Sequence, residues 1–182
     1  MNGSALGGKL NPIPNCYINI PSLNNETIPM YIVPDLSDSK GAVFSEENGI
    51  GRSSPFTSFQ HSEARQIGWT AHFILTNKND QDAILKYIRL LEACVYPLTK
   101  DTPGPYSPPP IVKLKCGLLL SGNNYQDEIP AILKSYTLKF DTSVPWDTKT
   151  LMPYKIDIDL NFVVVYNQSK LPGAEMILQS GY

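Results

Sequence analysis

In "YKIDIDLNFVVVY", residues 154–166, apolar side chains occupy every second position: Ile156, Ile158, Leu160, Phe162, Val164 and Tyr166. That is the two-residue period of a β-strand with one buried face. A strand of eleven residues spans about 36 Å, roughly twice the common length. Its other face carries Asp157, Asp159 and Asn161. The same period places Ile67, Trp69, Ala71, Phe73 and Leu75 on one face, and Val112, Leu114, Cys116 and Leu118 on another, opposite Lys113 and Lys115. In "AILKSYTLKF" the apolar row is assigned to Ile132, Tyr136, Leu138 and Phe140, with Lys134 interrupting it. Two shorter runs, "CYINI" at 16–20 and "IPMYIV" at 28–33, also read as strands among turn residues.

A helical period occurs once. After "TNKND", Ile84, Ile88, Leu91 and Val95 recur at i, i+4, i+7 and i+11 and form the core stripe of a helix predicted over 80–96. Asn79 or Asp80 can cap it, and Asp82 sits in its positive first turn. Pro97 disfavours helical geometry at Tyr96, and "TKDTPGPYSPPP" continues as a stiff connector.

The fold class that follows is mainly β: an antiparallel β sandwich or barrel with one flanking amphipathic helix. The chain divides into an extended arm over 1–60, a β domain over 61–168 and a C-terminal tail over 169–182. Within the arm, residues 37–55 read as a long loop. Pro12, Pro14, Pro21 and Pro29 oppose helix and central-strand pairing, so residues 2–33 are expected to take their order from a neighbouring subunit. In the tail, Met176, Ile177 and Leu178 form a short apolar string suited to the same use.

Composition narrows the function. With a net charge of −2 there is no basic footprint for nucleic acid and no attraction to an anionic membrane. The opening "MNGSALGGKLNPIPN" lacks an apolar h-region and no run is long enough for a membrane-spanning helix, so the chain is expected to be cytosolic when made. Cys16, Cys94 and Cys116 are too widely spaced for a zinc site and read as buried free thiols.

No constellation asks for catalysis. His61 and His72 fit no metal or nucleophile spacing, and "GIGR" at 49–52 lacks the residues of a phosphate loop. Asp157 and Asp159 lie about 7 Å apart along one strand face, a separation open to paired-carboxylate chemistry but commoner for acids that meet water or a cross-strand lysine. The expectation is a protein that is not an enzyme, with no catalytic, cofactor-binding or metal-ligating residues.

The order of elements is distinctive. "WTAHFIL", a capped helix ending "LLEACVYP", a proline-rich link into "PPPIVKLKCG", "IPAILKSYTLKFD", Trp146 with Asp147, and the strand ending "VVVYN" follow one another over residues 67–166. This arrangement resembles the tail-tube-initiator and baseplate-hub proteins of contractile-tailed bacteriophages, which share the tail-tube fold. The resemblance implies a structural virion protein, assembled in the host bacterial cytoplasm. It would form a ring, as a hexamer, whose strands join into a barrel around a lumen. Adjacent tail-tube and baseplate-hub proteins would be its partners, and DNA would only pass through. On that reading Asp157, Asp159 and Asn161 face the lumen, keep it wet and repel phosphates. Solvent exposure on a monomer is the plainer account of the same face. The alternative function is a monomeric β-sandwich module binding a glycan or peptide through "NNYQDE" and "VPWD".

Overall fold

The computed structural model describes residues 11–47, 50–51, 53–76, 78–98, 108–121, 127–166 and 173. Most of the proline-rich connector, residues 122–126 and the tail apart from Gly173 lie outside them. The elements are β1 (Cys16–Ile20), β2 (Glu26–Pro29), β3 (Asp35–Ser39), β4 (Ala42–Glu47), β5 (Phe56–Ser62), β6 (Gln66–Ile74), α1 (Lys78–Ala93), β7 (Ile111–Cys116), β8 (Ile129–Phe140) and β9 (Lys155–Val164). Seven strands form one sheet in the order β2-β1-β7-β8-β9-β6-β3, and β4 and β5 form a separate two-stranded sheet. All of these pairings are antiparallel. The expected mainly antiparallel β architecture with one helix is therefore present. The large sheet does not close into a barrel among the described residues, because β2 and β3 stand at its two edges.

Strand β9 pairs on both sides. Ile156, Ile158, Leu160 and Phe162 lie opposite Phe73, Ala71, Trp69 and Ile67 of β6, and all eight are buried. A helix about 10 Å wide cannot cover a flat seven-stranded sheet roughly 30 Å across. The apolar face is nonetheless buried, and residues of α1 and of the sheet share one core cluster. The helix contributes Ile84, Tyr87 and Leu91 as buried residues, and Cys94 just past its end is buried too, whereas Ile88 and Val95 are half-buried against the same core. The stripe thus runs one residue earlier at two of its four positions than the sequence suggested. Tyr87, whose ring centroid lies 6.0 Å from that of Phe73, takes the place assigned to Ile88.

Asp80 does not simply face solvent at the helix start. It is buried, and its carboxylate accepts the Thr76 backbone N–H at 2.9 Å and the Thr76 hydroxyl at 2.8 Å. Bonds of this kind satisfy a charged group that would otherwise be costly to bury.

Three sequence expectations need correction. Lys134 is the extra residue of a β-bulge in β8: Leu133 pairs with Phe162 and Tyr136 with Leu160, so three steps on β8 match two on β9. The bulge switches the phase of the strand. Ala131 and Leu133 are in the core before it, Tyr136 and Leu138 pack against the core after it, and Ile132 lies on the polar face opposite Val163. Phe140, assigned to the apolar row, is half exposed.

Residues 16–30, placed in an arm, belong to the sheet of their own chain: β1 pairs with β7, β2 pairs with β1, and Ile18, Ile20, Ile28 and Met30 are buried. The prolines permit this because Pro29 ends an edge strand and Pro21 lies in the β1–β2 turn. That turn uses Asn24 and Asn25 at positive φ, a conformation asparagine tolerates. Finally, residues 37–55 are not one loop, since β3 and β4 lie largely within them.

Replacing Ile84 with Ala is expected to lower stability by roughly 2–5 kcal/mol in urea unfolding, and Ile88→Ala by less, since that side chain is half-buried. Deleting residues 2–33 removes β1 and β2 and uncovers the edge of β7. The expected outcome is loss of the cooperative unfolding transition measured by circular dichroism.

Candidate functional site: the polar sheet face and the aromatic hairpin

The alternation that buries one face of β9 turns Asp157, Asp159 and Asn161 away from the core. Being central, the strand meets partners on both sides. Asp157 stands opposite His72 of β6 and Lys139 of β8, Asp159 opposite Thr70 and Thr137, and Asn161 opposite Gly68 and Ser135. Asp157 contacts His72 Nδ1 at 2.7 Å and Lys155 Nζ at 2.9 Å. The other ring nitrogen of His72 lies 3.3 Å from Asp35 on the edge strand β3. Asp159 accepts the Thr70 hydroxyl at 2.8 Å and pairs with Lys139 at 2.5 Å, and Asn161 donates to the Ser135 hydroxyl at 3.1 Å.

These contacts stabilise the ionised carboxylates. For Asp157, partial burial favours the neutral acid, but bonds from His72 and Lys155 outweigh it and hold the carboxyl below its usual value. For Asp159, the bond from Lys139 leads, followed by that from Thr70, and the result is again a lowered value. The row continues across the sheet, where Glu128 pairs with Lys113 at 3.0 Å and accepts the Tyr17 hydroxyl at 2.9 Å.

The arrangement holds charge in balance. Asp157 and Asp159 each have a lysine partner, so strong repulsion of phosphate does not follow from these two acids. Nor does the geometry suggest paired-carboxylate hydrolysis, because both groups are engaged by fixed partners. Among the described residues no group of three His, Cys, Asp or Glu side chains is placed to hold a metal. His61 is exposed on β5, opposite Val43 of β4. At one end the polar face becomes apolar, where Val163 meets Ile132.

The second surface was missed by the loop assignment. Strands β4 and β5 form a hairpin, with Ser45 and Ser58 hydroxyls 2.7 Å apart and a register shift between Val43 and Phe44. None of its residues joins the core cluster. Phe44, Phe56 and Phe59 are each more than half exposed, and the Phe44 and Phe59 rings meet edge to face with centroids 5.7 Å apart. Neither "AVFSEE" nor "FTSFQHS" alternates strictly, and the available signal was the pair of short aromatic and β-branched runs with Gly, Ser and Pro between them. A two-stranded hairpin with no packed face is marginal in water. Its aromatic surface is therefore suited to burial against another molecule.

Folded-state carboxyl values below the unfolded ones make Asp157 and Asp159 stabilising above about pH 4, an effect lost as pH falls through their folded values. The variants Asp157→Asn and Asp159→Asn are expected to flatten the fall in unfolding midpoint measured from neutral pH to about pH 3.

No protein-family model and no curated protein sequence matches the chain. Among solved structures, it is similar to a chain described as the tail of an empty GTA particle, computed with helical refinement and C6 symmetry. That alignment has a TM-score of 0.38 and 7% identity, and it covers 92% of this chain and 96% of the other. A likeness at that score is one of outline only.

Proposed function

We propose that this protein is a structural component of a phage-type contractile tail, without enzymatic activity. It would form a ring, as a hexamer, at the junction between baseplate hub and tube. The observation that carries the reading is the β4–β5 hairpin, which exposes Phe44, Phe56 and Phe59 without a core of its own. Two features add support: the open edges β2 and β3 of the large sheet, each able to accept a strand from a neighbour, and the order of elements over residues 67–166. In such a ring the ion-paired face of β9 lines the lumen, with Asp157, Asp159 and Asn161 in contact with water and passing DNA. Neighbouring tube and hub proteins stack above and below, and assembly takes place in the bacterial cytoplasm before incorporation into the virion.

The test is oligomeric state. At rising concentration the full chain is expected to give ring-shaped particles of uniform mass by mass photometry and negative-stain microscopy. Phe44→Ser and Phe59→Ser are expected to abolish them while shifting the melting midpoint by no more than about 2 °C, as befits exposed positions. A chain that stays monomeric at every concentration and instead binds a glycan or peptide would overturn the proposal in favour of the binding-module alternative.

A further inference from the structure

Cys16 and Cys116 are separated by 100 positions, yet they are direct cross-strand partners in the β1–β7 pairing, with sulfurs 3.2 Å apart. The sequence reading treated all three cysteines as buried and separate. Cys16 and Cys94 are buried, whereas Cys116 is partly buried against the same core. The backbone defines the kind of pair. Gly117 N–H donates to the Asn15 carbonyl at 2.9 Å, a bond between the residue after one cysteine and the residue before the other. That pattern marks a non-hydrogen-bonded antiparallel pair, in which the α-carbons stand about 4.5 Å apart and the side chains approach most closely. The separation falls within the roughly 4.4–6.8 Å that a disulfide spans.

Both strands change direction beside the pair: Asn15 and Gly117 take positive φ, which fixes the ends of β1 and β7 next to the thiols. Cys94 is sequestered in the helix–sheet core.

We infer that Cys16 and Cys116 form a reversible disulfide site, closed by a small-molecule disulfide of the glutathione type and opened by a small thiol. In the first step Cys116, the less buried of the two, attacks, as thiolate, one sulfur of the small disulfide. A mixed disulfide forms and one small thiolate leaves. Cys16 then loses its proton and attacks the Cys116 sulfur, expelling the second small thiolate. The protons of the two cysteines end on the two small thiols. Two protein thiols are oxidised to one disulfide while one small disulfide is reduced to two thiols. Burial, and then the contact with Cys116, push the Cys16 thiol up to about 12, so the less buried partner is the one that starts the exchange. Closure ties the β1–β2 edge ribbon to β7 by a covalent bond and restricts the unfolded chain over the long intervening loop.

The experiment uses the full chain, fully reduced, exchanged into oxidised glutathione, then alkylated under denaturing conditions and mapped by mass spectrometry. Before alkylation each chain is expected to be lighter by two hydrogens, and mapping should then find the Cys16 peptide linked to the Cys116 peptide of the same chain, with Cys94 alkylated. The melting midpoint of the oxidised chain should rise by roughly 5–15 °C over the reduced form and return on adding dithiothreitol. Cys94→Ala should give the same link, and Cys116→Ser should give none. Persistence of three alkylatable thiols, a link involving Cys94, or a link between two chains would overturn the inference. Because mapping is done on the native sequence, a variant that fails to fold leaves the outcome decided.

Discussion

Strand β9 is hydrogen-bonded to β6 on one side and to β8 on the other along nearly its whole length. A strand so placed has no free backbone groups, and its side chains must satisfy two different surroundings at once. Ile156, Ile158, Leu160, Phe162 and Val164 fill the core, where Trp69 and Phe73 lie from the neighbouring strand. One step away, Asp157 and Asp159 hold a row of charges together. A shift of one residue in register would put isoleucines in water and carboxylates in the core, so the alternation of this one segment sets the register of its neighbours as well.

The ionic row does more for order than for stability. Its lysine heads are largely solvent-exposed, and pairs of that kind contribute little individually. Their value lies in direction. His72 is held between Asp157 and Asp35, a link from the centre of the sheet to its edge strand. Arg65 makes a second link to that strand, donating to both carboxylate oxygens of Asp38. An edge held in a fixed position is a better template for a neighbour than one that frays.

Much of the fold was legible because it is written in local periodicity. The strands of β6, β7 and β9 could be read from alternation, and the helix from a single 3.6-residue stripe. Lys134 looked like a defect in β8 because a strict period of two has no place for an inserted residue, whereas a bulge does. The swap of Tyr87 for Ile88 arose because i+3 and i+4 are both neighbours on a helix, and only the direction of approach of the sheet decides between them. Residues 16–30 were misplaced for another reason: proline content speaks about what a segment cannot do, not about which distant strand will pair with it. In the site, the outward face of β9 was plain from the sequence, but two of its partners, His72 and Thr70, come from 85 and 89 positions away. Nothing local announces that His72 and Thr70 meet Asp157 and Asp159. The hairpin was hidden by its own composition, since serine, glycine and glutamate dilute its aromatic residues.

The sheet order also bears on how the chain acquires its shape. β1 waits for β7, and β6, the apolar partner of β9, must wait while the helix and two further strands are made. On a ribosome, the strand that joins the two halves of the sheet therefore emerges last of the ten elements described here. Until then Trp69, Phe73 and the isoleucines of β1 have no lasting cover. Folding dominated by such distant pairings is slow and leaves intermediates prone to associate. The helix α1, whose backbone bonds join near neighbours, can form before β9 is made and so offer those strands an apolar surface during the interval.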